Sequence, residues 1–396
     1  MDMLKCLHNQ VWSRFVRMPQ GHLLDYADQN GCTTIPTAQE CNHSMPNALG
    51  WWTPIENGAF FGGLYAYALI DQYERTPDPK TAEEIEILIG GLKHLQDVAK
   101  VDGFIARGVA DDGASHYPFS SEDQVVPWVL AMHAYLRSSL CKNPGEIRER
   151  LLRTLRPMKE NGWSVLTDVE GMLLGCWETS GSWRSVAKVL YCARVYSMLT
   201  KDPEDLKHYE TLRDSAPAGG PLLRKEVVAA GFAHDMVQFQ SLKQSWIFLA
   251  SHLGLKELAV LDPEHAGYYR EGTRLDGVTA YRMIDEMKHY DNETDGFDMN
   301  WRRLEPLWKP LGTSPREAID NAGAMGRVWS AEVVPHRHME HNVLGFSLFY
   351  GWIAVTCGDS RIEMLAKKKL EEYIPNIHWE TLHLCYAFAA EAALIS

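Results

Sequence analysis

The segment Asn47-Ala-Leu-Gly-Trp51-Trp52-Thr-Pro-Ile-Glu56-Asn57-Gly58 sets two adjacent tryptophans ahead of a carboxylate and an amide. Indole faces stack on the C–H faces of a sugar ring, and carboxylate and amide groups take its hydroxyls. The structural alternative is that a tryptophan belongs to the core and that Glu56 or Asn57 caps the following helix. A second stretch is denser: Gly103-Phe-Ile-Ala-Arg107-Gly108, Asp111-Asp112-Gly113, His116-Tyr117-Pro118 and Ser120-Ser121-Glu122-Asp123-Gln124 follow one another into a helix. Long ordered connections tend to carry function. Arg107 has the planar fork that grips a carboxylate, and Ser121 to Gln124 also fits a capping box.

Cys176-Trp177-Glu178-Thr179-Ser180-Gly181-Ser182-Trp183-Arg184 again places tryptophan beside a carboxylate, with Ser182 as a helix cap in the structural alternative. Gly231-Phe-Ala-His234-Asp235 and Lys288-His289-Tyr290-Asp291-Asn292 offer a histidine and a tyrosine, residue types that act as base and acid in proton transfer. A lone histidine equally serves as a hydrogen-bonded structural residue. Pro335-His336-Arg337-His338-Met339-Glu340-His341-Asn342 crowds three histidines into six residues. They lack the i, i+4 spacing of a metalloprotease helix and no cysteine lies near, so no metal is expected, and the three histidines His336, His338 and His341, with Asn342, read as lining a polar or anionic pocket.

These segments need elements to hold them, and the sequence supplies helices from end to end. Thr81-Ala-Glu-Glu84 reads as a capping box ahead of Ile85, Leu88, Ile89, Leu92 and Leu95 at helical spacing. Phe60 to Tyr73, Glu146 to Met158, Trp183 to Leu199, Met236 to Leu253, Val278 to Tyr290, His341 to Val355 and Trp379 to Leu394 read similarly, and strand alternation is nearly absent. The acidic landmarks Glu56, Glu122, Glu178, Asp235, Asp291 and Glu340 recur at steps of 49 to 66 residues, room for one helical hairpin with its two loops. Between them Thr76 to Thr81, Lys142 to Gly145 and Thr200 to Asp205 are short and carry Pro or plain charge. Hairpins stacked side by side and closed on themselves gather the ornate loops at one end. The expected fold is all-α: an α/α toroid, or barrel, of six or seven hairpins, the step favouring seven, with residues 1–396 as a single domain.

Composition narrows the class. A chain of 396 residues with 45% hydrophobic content buries a large core. Its mean hydropathy of −0.27 and interrupted apolar runs leave no membrane span, and a net charge of −13 disfavours nucleic acid and anionic membranes as partners. The eight cysteines form no C-x-x-C pair and read as buried or idle thiols. Met1 to Gln10 lacks the apolar core of a secretory signal, so the protein is expected either in the periplasm or outside the cell after signal removal, or in the cytoplasm. A homo-oligomer stays open.

Trp52-Thr-Pro-Ile-Glu-Asn-Gly, Gly103-Phe-Ile-Ala-Arg-Gly, His116-Tyr-Pro and Ser121-Glu-Asp-Gln together resemble the α/α-barrel class of carbohydrate-active enzymes, and within it the uronan lyases of polysaccharide lyase family 38, which act on glucuronan and alginate; barrel β-glucuronidases come second. The lyase resemblance implies β-elimination without a cofactor: the uronate carboxylate is neutralised, a base removes the C5 proton and an acid protonates the leaving oxygen. It assigns the proton transfers to His234 and Tyr290, so Tyr290→Phe is expected to abolish turnover, and the carboxylate to Asn57, Arg107 and His116. Trp51, Trp52, Tyr117, Glu122, Asp123, Gln124, Trp177, Glu178, Arg184, His336, His338 and Asn342 would hold the oligo- or polysaccharide. A glycoside hydrolase would instead draw two carboxyls from Glu56, Glu122, Asp123, Glu178 and Asp235. A barrel that binds sugar without catalysis, and an isomerase relying on His and Arg, are the remaining readings.

Overall fold

The computed structural model describes residues 3–396 apart from 236–244, 295, 310, 313, 333 and 334, with the backbone alone for 327–332, 335 and 336. The chain is all-α, with 64% helix against 3% strand. The named strands are two short antiparallel pairs, Val16–Arg17 with His22–Leu23 and Val165–Leu166 with Leu173–Leu174. The principal helices are α1 (Met3–Gln10), α2 (Gly58–Arg75), α3 (Pro79–Asp97), α4 (Glu122–Arg137), α5 (Pro144–Glu160), α6 (Trp183–Thr200), α7 (Pro203–Arg213), α8 (Ser245–Leu261), α9 (Ala266–Met283), α10 (Phe346–Val355), α11 (Ser360–Tyr373) and α12 (Ala387–Ile395).

One local device starts several of these helices after the plain loops. Asp78, Asn143 and Asp202 each accept a backbone N–H of the first turn, and each is followed by proline at the first helical position. The side chain satisfies an orphan donor, and proline fixes φ where no N–H is needed. Asp359 caps α11 in the same way without proline. This corrects the start of α3: Thr81 lies inside the helix, and its N–H and hydroxyl both donate to Asp78. The carboxylate three residues upstream of Thr81 wins because Pro79 presets the first turn behind it.

The helices form two series. In the first, α2 packs on α4, α4 and α6 pack on α8, α8 on α10, α10 on α12, and α12 back on α2. In the second, α3 lies on α2 and α4, α5 on α4 and α6, α7 on α6, α9 on α8 and α10, and α11 on α10 and α12, while α1 lies on α12. Burial follows the series. Every residue of α2 from Gly58 to Ile70 and every residue of α10 is buried, whereas α5 buries one stripe, Ile147, Leu151, Leu155 and Met158. Gly63 lets α2 meet α4 backbone to backbone, since a Cβ there would lie 2.5 Å from the Pro127 carbonyl carbon. Buried apolar residues from Leu7 to Ala393 join one hydrophobic cluster.

The first and last helices meet at His8, whose ring nitrogens lie 2.9 Å from Glu84 and 3.0 Å from Glu391. Burial opposes its charge, and hydrogen bonds to the two carboxylates outweigh that opposition, pushing it up to about 9.

Several expected boundaries move. Val278 to Tyr290 divides into the end of α9 and the 3₁₀ turn Ile284–His289. The segment from His341 opens with the π turn Met339–Gly345 before α10, and Trp379 to Leu394 breaks into the turn Trp379–Thr381 and α12. The start of the helix expected from Met236 lies outside the described residues, and α8 runs on to Leu261. No described helix is long and apolar enough to cross a membrane.

Candidate active site

The tryptophan loop before α2 is built by its own polar residues. Asn47 Oδ1 accepts from the N–H groups of Leu49 and Trp51, both at 3.1 Å, and Glu56 Oε2 accepts from Trp52 N–H at 2.7 Å. Trp52 takes φ +77°, a left-handed conformation unusual for a bulky residue, and the Glu56 bond holds it there. Asn57 is clamped from two sides: its N–H and side-chain amide donate to Asp25 at 2.7 and 2.5 Å, and its Oδ1 accepts from Gln124 at 2.9 Å. Gln124 also accepts from Phe60 N–H, so the start of α4 is tied to the start of α2.

Arg107 is 1% exposed and spends its fork on protein, donating to the carbonyls of Glu56 and Phe119 and to Ser121 Oγ. Ser121 in turn donates to Asp123 and makes no cap bond to α4, which corrects the capping-box alternative there. The hydroxyl is consumed by a link between a guanidinium and a carboxylate, both stronger partners than a backbone amide.

These loops enclose one end of a cavity of about 260 Å³. Trp51, Trp52 and Trp246 supply aromatic faces; Asp25, Glu56 and Asp123 bring carboxyl groups; Asn57, Arg337, His341 and Tyr386 complete its polar wall. Arg337 sits over the rings of Tyr26, Phe297 and Trp52 at 5.2, 5.2 and 5.6 Å from their centroids. His341 Nδ1 and the Tyr386 hydroxyl are hydrogen-bonded to each other, and the imidazole lies against Trp246.

Burial sets the protonation states. It raises Asp25 well above the carboxylate range, with the neighbouring charge of Glu56 adding to the rise, and it raises Glu56 against the pull of Arg107 and Arg337. Two buried carboxyls that each feel the other's charge titrate as a coupled pair. Burial, with Arg337 and His338, pushes His341 down to about 3, so the imidazole is neutral at pH 7. Tyr386 is raised by burial and keeps its proton.

A second cavity of about 340 Å³ shares the Trp51 wall and is also lined by Ser120, Glu122, Trp177, Ser180 and Ser185. There Glu122 pairs with Lys188 at 3.0 Å. Burial works to raise Glu122, and the charges of Lys188 and Arg184 override it and hold the group below the usual range.

The structure thus brings Trp51, Trp52, Glu56, Asn57 and Asp123 to the first cavity, with Gln124 and Arg107 behind them, and Glu122 and Trp177 to the second. Other expected residues line neither cavity. His116 is bound to Asp168 at 2.9 Å and to the Ala114 carbonyl, holding the long loop to the Val165–Leu174 hairpin. Tyr117 is buried with its hydroxyl on the Met45 carbonyl. Glu178 and His234 are half-buried. Arg184 gives its backbone N–H to Asp235, which also caps Trp183. Tyr290 is in the core, its hydroxyl buried with no hydrogen-bond partner among the described residues. His338 is exposed and bonds Asn342 at 2.8 Å; the side chain of His336 lies outside the described residues.

Asp25, Trp246, Arg337 and Tyr386 escaped selection from sequence, while His341 was read only as one of three histidines lining a polar pocket. His341 and Arg337 stood inside the histidine-rich segment, but Asp25 in Leu-Leu-Asp-Tyr and Tyr386 in Leu-Cys-Tyr-Ala carry no local signal. Some acidic landmarks work on backbone: Glu340 accepts from the N–H groups of His383 and Leu384, as Asp235 does from Trp183 and Arg184. Among the described residues no group of three or more His, Cys, Asp or Glu is placed to hold a metal, and all eight cysteines are free thiols. Compared with family models, curated proteins and solved structures, the chain matches none.

Proposed function

We propose that the chain is an α/α barrel of six hairpins that cleaves a uronate-containing polysaccharide, of the glucuronan or alginate type, by β-elimination. The six-hairpin reading is supported by the cycle α2, α4, α6, α8, α10, α12 and back to α2, with the second series lying against it. The lyase reading is carried by one observation: a hydrogen-bonded His341–Tyr386 pair on a cavity that also holds Arg337, Asn57 and two carboxyls whose ionisation burial opposes.

Arg337 and Asn57, with a proton shared by Asp25 and Glu56, neutralise the uronate carboxylate and make its C5 proton acidic. With the imidazole proton on Nδ1 and donated to the Tyr386 oxygen, Nε2 is a free base and the Tyr386 O–H a free acid. Nε2 takes the C5 proton, the electron pair forms the C4–C5 double bond, the C4–O bond breaks, and Tyr386 protonates the departing oxygen. The imidazolium returns its Nδ1 proton to the phenolate. The proton-transfer roles thereby pass from His234 and Tyr290 to His341 and Tyr386, and the carboxylate roles of Arg107 and His116 to Arg337 and the Asp25–Glu56 pair. Trp51, Trp52 and Trp246 stack the sugar.

The test is ultraviolet absorbance on mixing the protein with glucuronan and with alginate, since elimination creates a conjugated uronate. A rise that Tyr386→Phe removes supports the proposal. The second reading is a glycoside hydrolase, favoured by Glu56 and Asp123 standing on the same cavity. New reducing ends without absorbance would establish it, and silence in both assays would leave a barrel that binds sugar.

A further inference from the structure

Resting on the lyase reading, we infer that the second cavity is a subsite for an uncharged sugar unit, so that the preferred substrate alternates a uronate with a neutral hexose. The two cavities share Trp51 as a lining residue, so a chain passing this tryptophan can enter both. The second has the volume of a small-ligand pocket, about 340 Å³. Trp177 gives it a further aromatic face.

Its polar wall is hydroxylic. Ser180 and Ser185 both touch the Ser182 hydroxyl, at 3.2 and 2.9 Å, and keep hydrogen-bonding capacity toward the cavity. Hydroxyls that donate and accept match the hydroxyls of a sugar.

Among the described residues the charged group on that wall is a carboxylate. Glu122 is the charged residue lining the cavity among the described residues, with a quarter of its side-chain surface open. The cations that stabilise its ionised form, Lys188 and Arg184, do not line the cavity, and Lys188 is fully buried against the carboxylate. A second uronate placed there would meet the Glu122 carboxylate with no described cation on the cavity wall, whereas the first cavity offers Arg337. A neutral hexose pays no such repulsion.

Isothermal titration calorimetry on the full chain carrying Tyr386→Phe, which silences turnover, tests this with three probes: free glucuronate, a β-1,4 tetrasaccharide of glucuronate alone, and one alternating glucuronate with glucose. The alternating probe is expected to bind about tenfold tighter than the all-glucuronate one. Adding Ser180→Ala, at a half-buried loop position on the cavity wall, is expected to cut that preference roughly threefold and leave free glucuronate unaffected. Equal or reversed affinity of the tetrasaccharides, or a preference that Ser180→Ala and Trp177→Phe both leave untouched, overturns the subsite. If glucuronate binds and the alternating tetrasaccharide gains nothing over it, the subsite alone falls. If glucuronate does not bind at all, the uronate reading of the first cavity fails and the subsite falls with it.

Discussion

Two carboxyl groups at successive ornate loops, Glu56 just before α2 and Glu122 at the first residue of α4, stand in comparable sequence settings and opposite electrostatic ones. Glu122 has the buried ammonium of Lys188 at 3.0 Å and is held ionised. Glu56 has Asp25 as its buried neighbour, and burial raises both. The difference is made by residues far along the chain, Lys188 on α6 and Asp25 before α2, so a carboxylate beside tryptophan has no fixed chemistry. One carboxyl is held ionised beside its ammonium. The other is held toward its protonated form by burial and a neighbouring carboxyl.

The comparison breaks most visibly in turnover. Tyr386→Phe removes the acid from the cavity that holds Glu56, and on the lyase reading kcat falls by roughly 10²- to 10⁴-fold with substrate affinity retained. Tyr290→Phe, in the core, is expected to leave kcat unchanged; the reverse ranking in absorbance assays would return the role to Tyr290. At the other site the effect is on stability. Lys188→Met leaves Glu122 without its partner and is expected to cost about 3 kcal/mol in denaturant unfolding. Adding Glu122→Gln should recover most of that loss, because the uncompensated charge is gone; no recovery would mean that Lys188 acts through packing.

The same contrast gives opposite pH slopes. Glu122, depressed in the fold, contributes stability above the unfolded carboxyl value and loses it as pH falls through its folded value. Asp25 and Glu56, raised in the fold, hold their proton more tightly than the unfolded chain, so their contribution is greatest below about pH 4 and is lost as pH rises through their folded values. Melting temperatures should therefore show Asp25→Asn gaining on the parent as pH rises from 4 to 8, and Glu122→Gln falling behind it as pH rises toward the unfolded carboxyl value of about 4.3 and trailing by a constant margin above it. Variants that move together would erase the distinction. The alkaline limb belongs to His8, whose stabilisation is complete below its unfolded value of about 6.5 and is lost as pH rises through about 9.

Local signals carried the helices and the loops but not the partners. Asp78-Pro79, Asn143-Pro144 and Asp202-Pro203 announce helix starts, and the continuous burial of α2 and α10 follows from their apolar runs. Trp51, Trp52, Glu56, Asn57 and Asp123 were legible as cavity residues because tryptophan, carboxylate and amide sit together in one segment or in the next loop. Asp25, Arg337, His341 and Tyr386 reach the cavity from three other stretches, and only tertiary packing aligns them. Arg107 and His116 misled for a related reason: the charge density of a long loop is what holds the loop together, as their bonds to Glu56, Ser121 and Asp168 show.

The smallest expected effect lies where the two sites touch. Ser121 accepts from Arg107 at 2.6 Å and donates to Asp123, and it stands beside Glu122 on the second cavity while Asp123 lines the first. Ser121→Ala makes no cavity of consequence and removes no charge, so its cost in unfolding should be about 1 kcal/mol, that of one hydrogen-bonded link. If the two sites are independent, that cost is the same with Lys188→Met as without it. A double-mutant cycle whose coupling exceeds about 0.5 kcal/mol would show the loop acting as one electrostatic unit. Coupling below that figure leaves Glu122 with its ammonium and Glu56 with its neighbour, each set by its own partner.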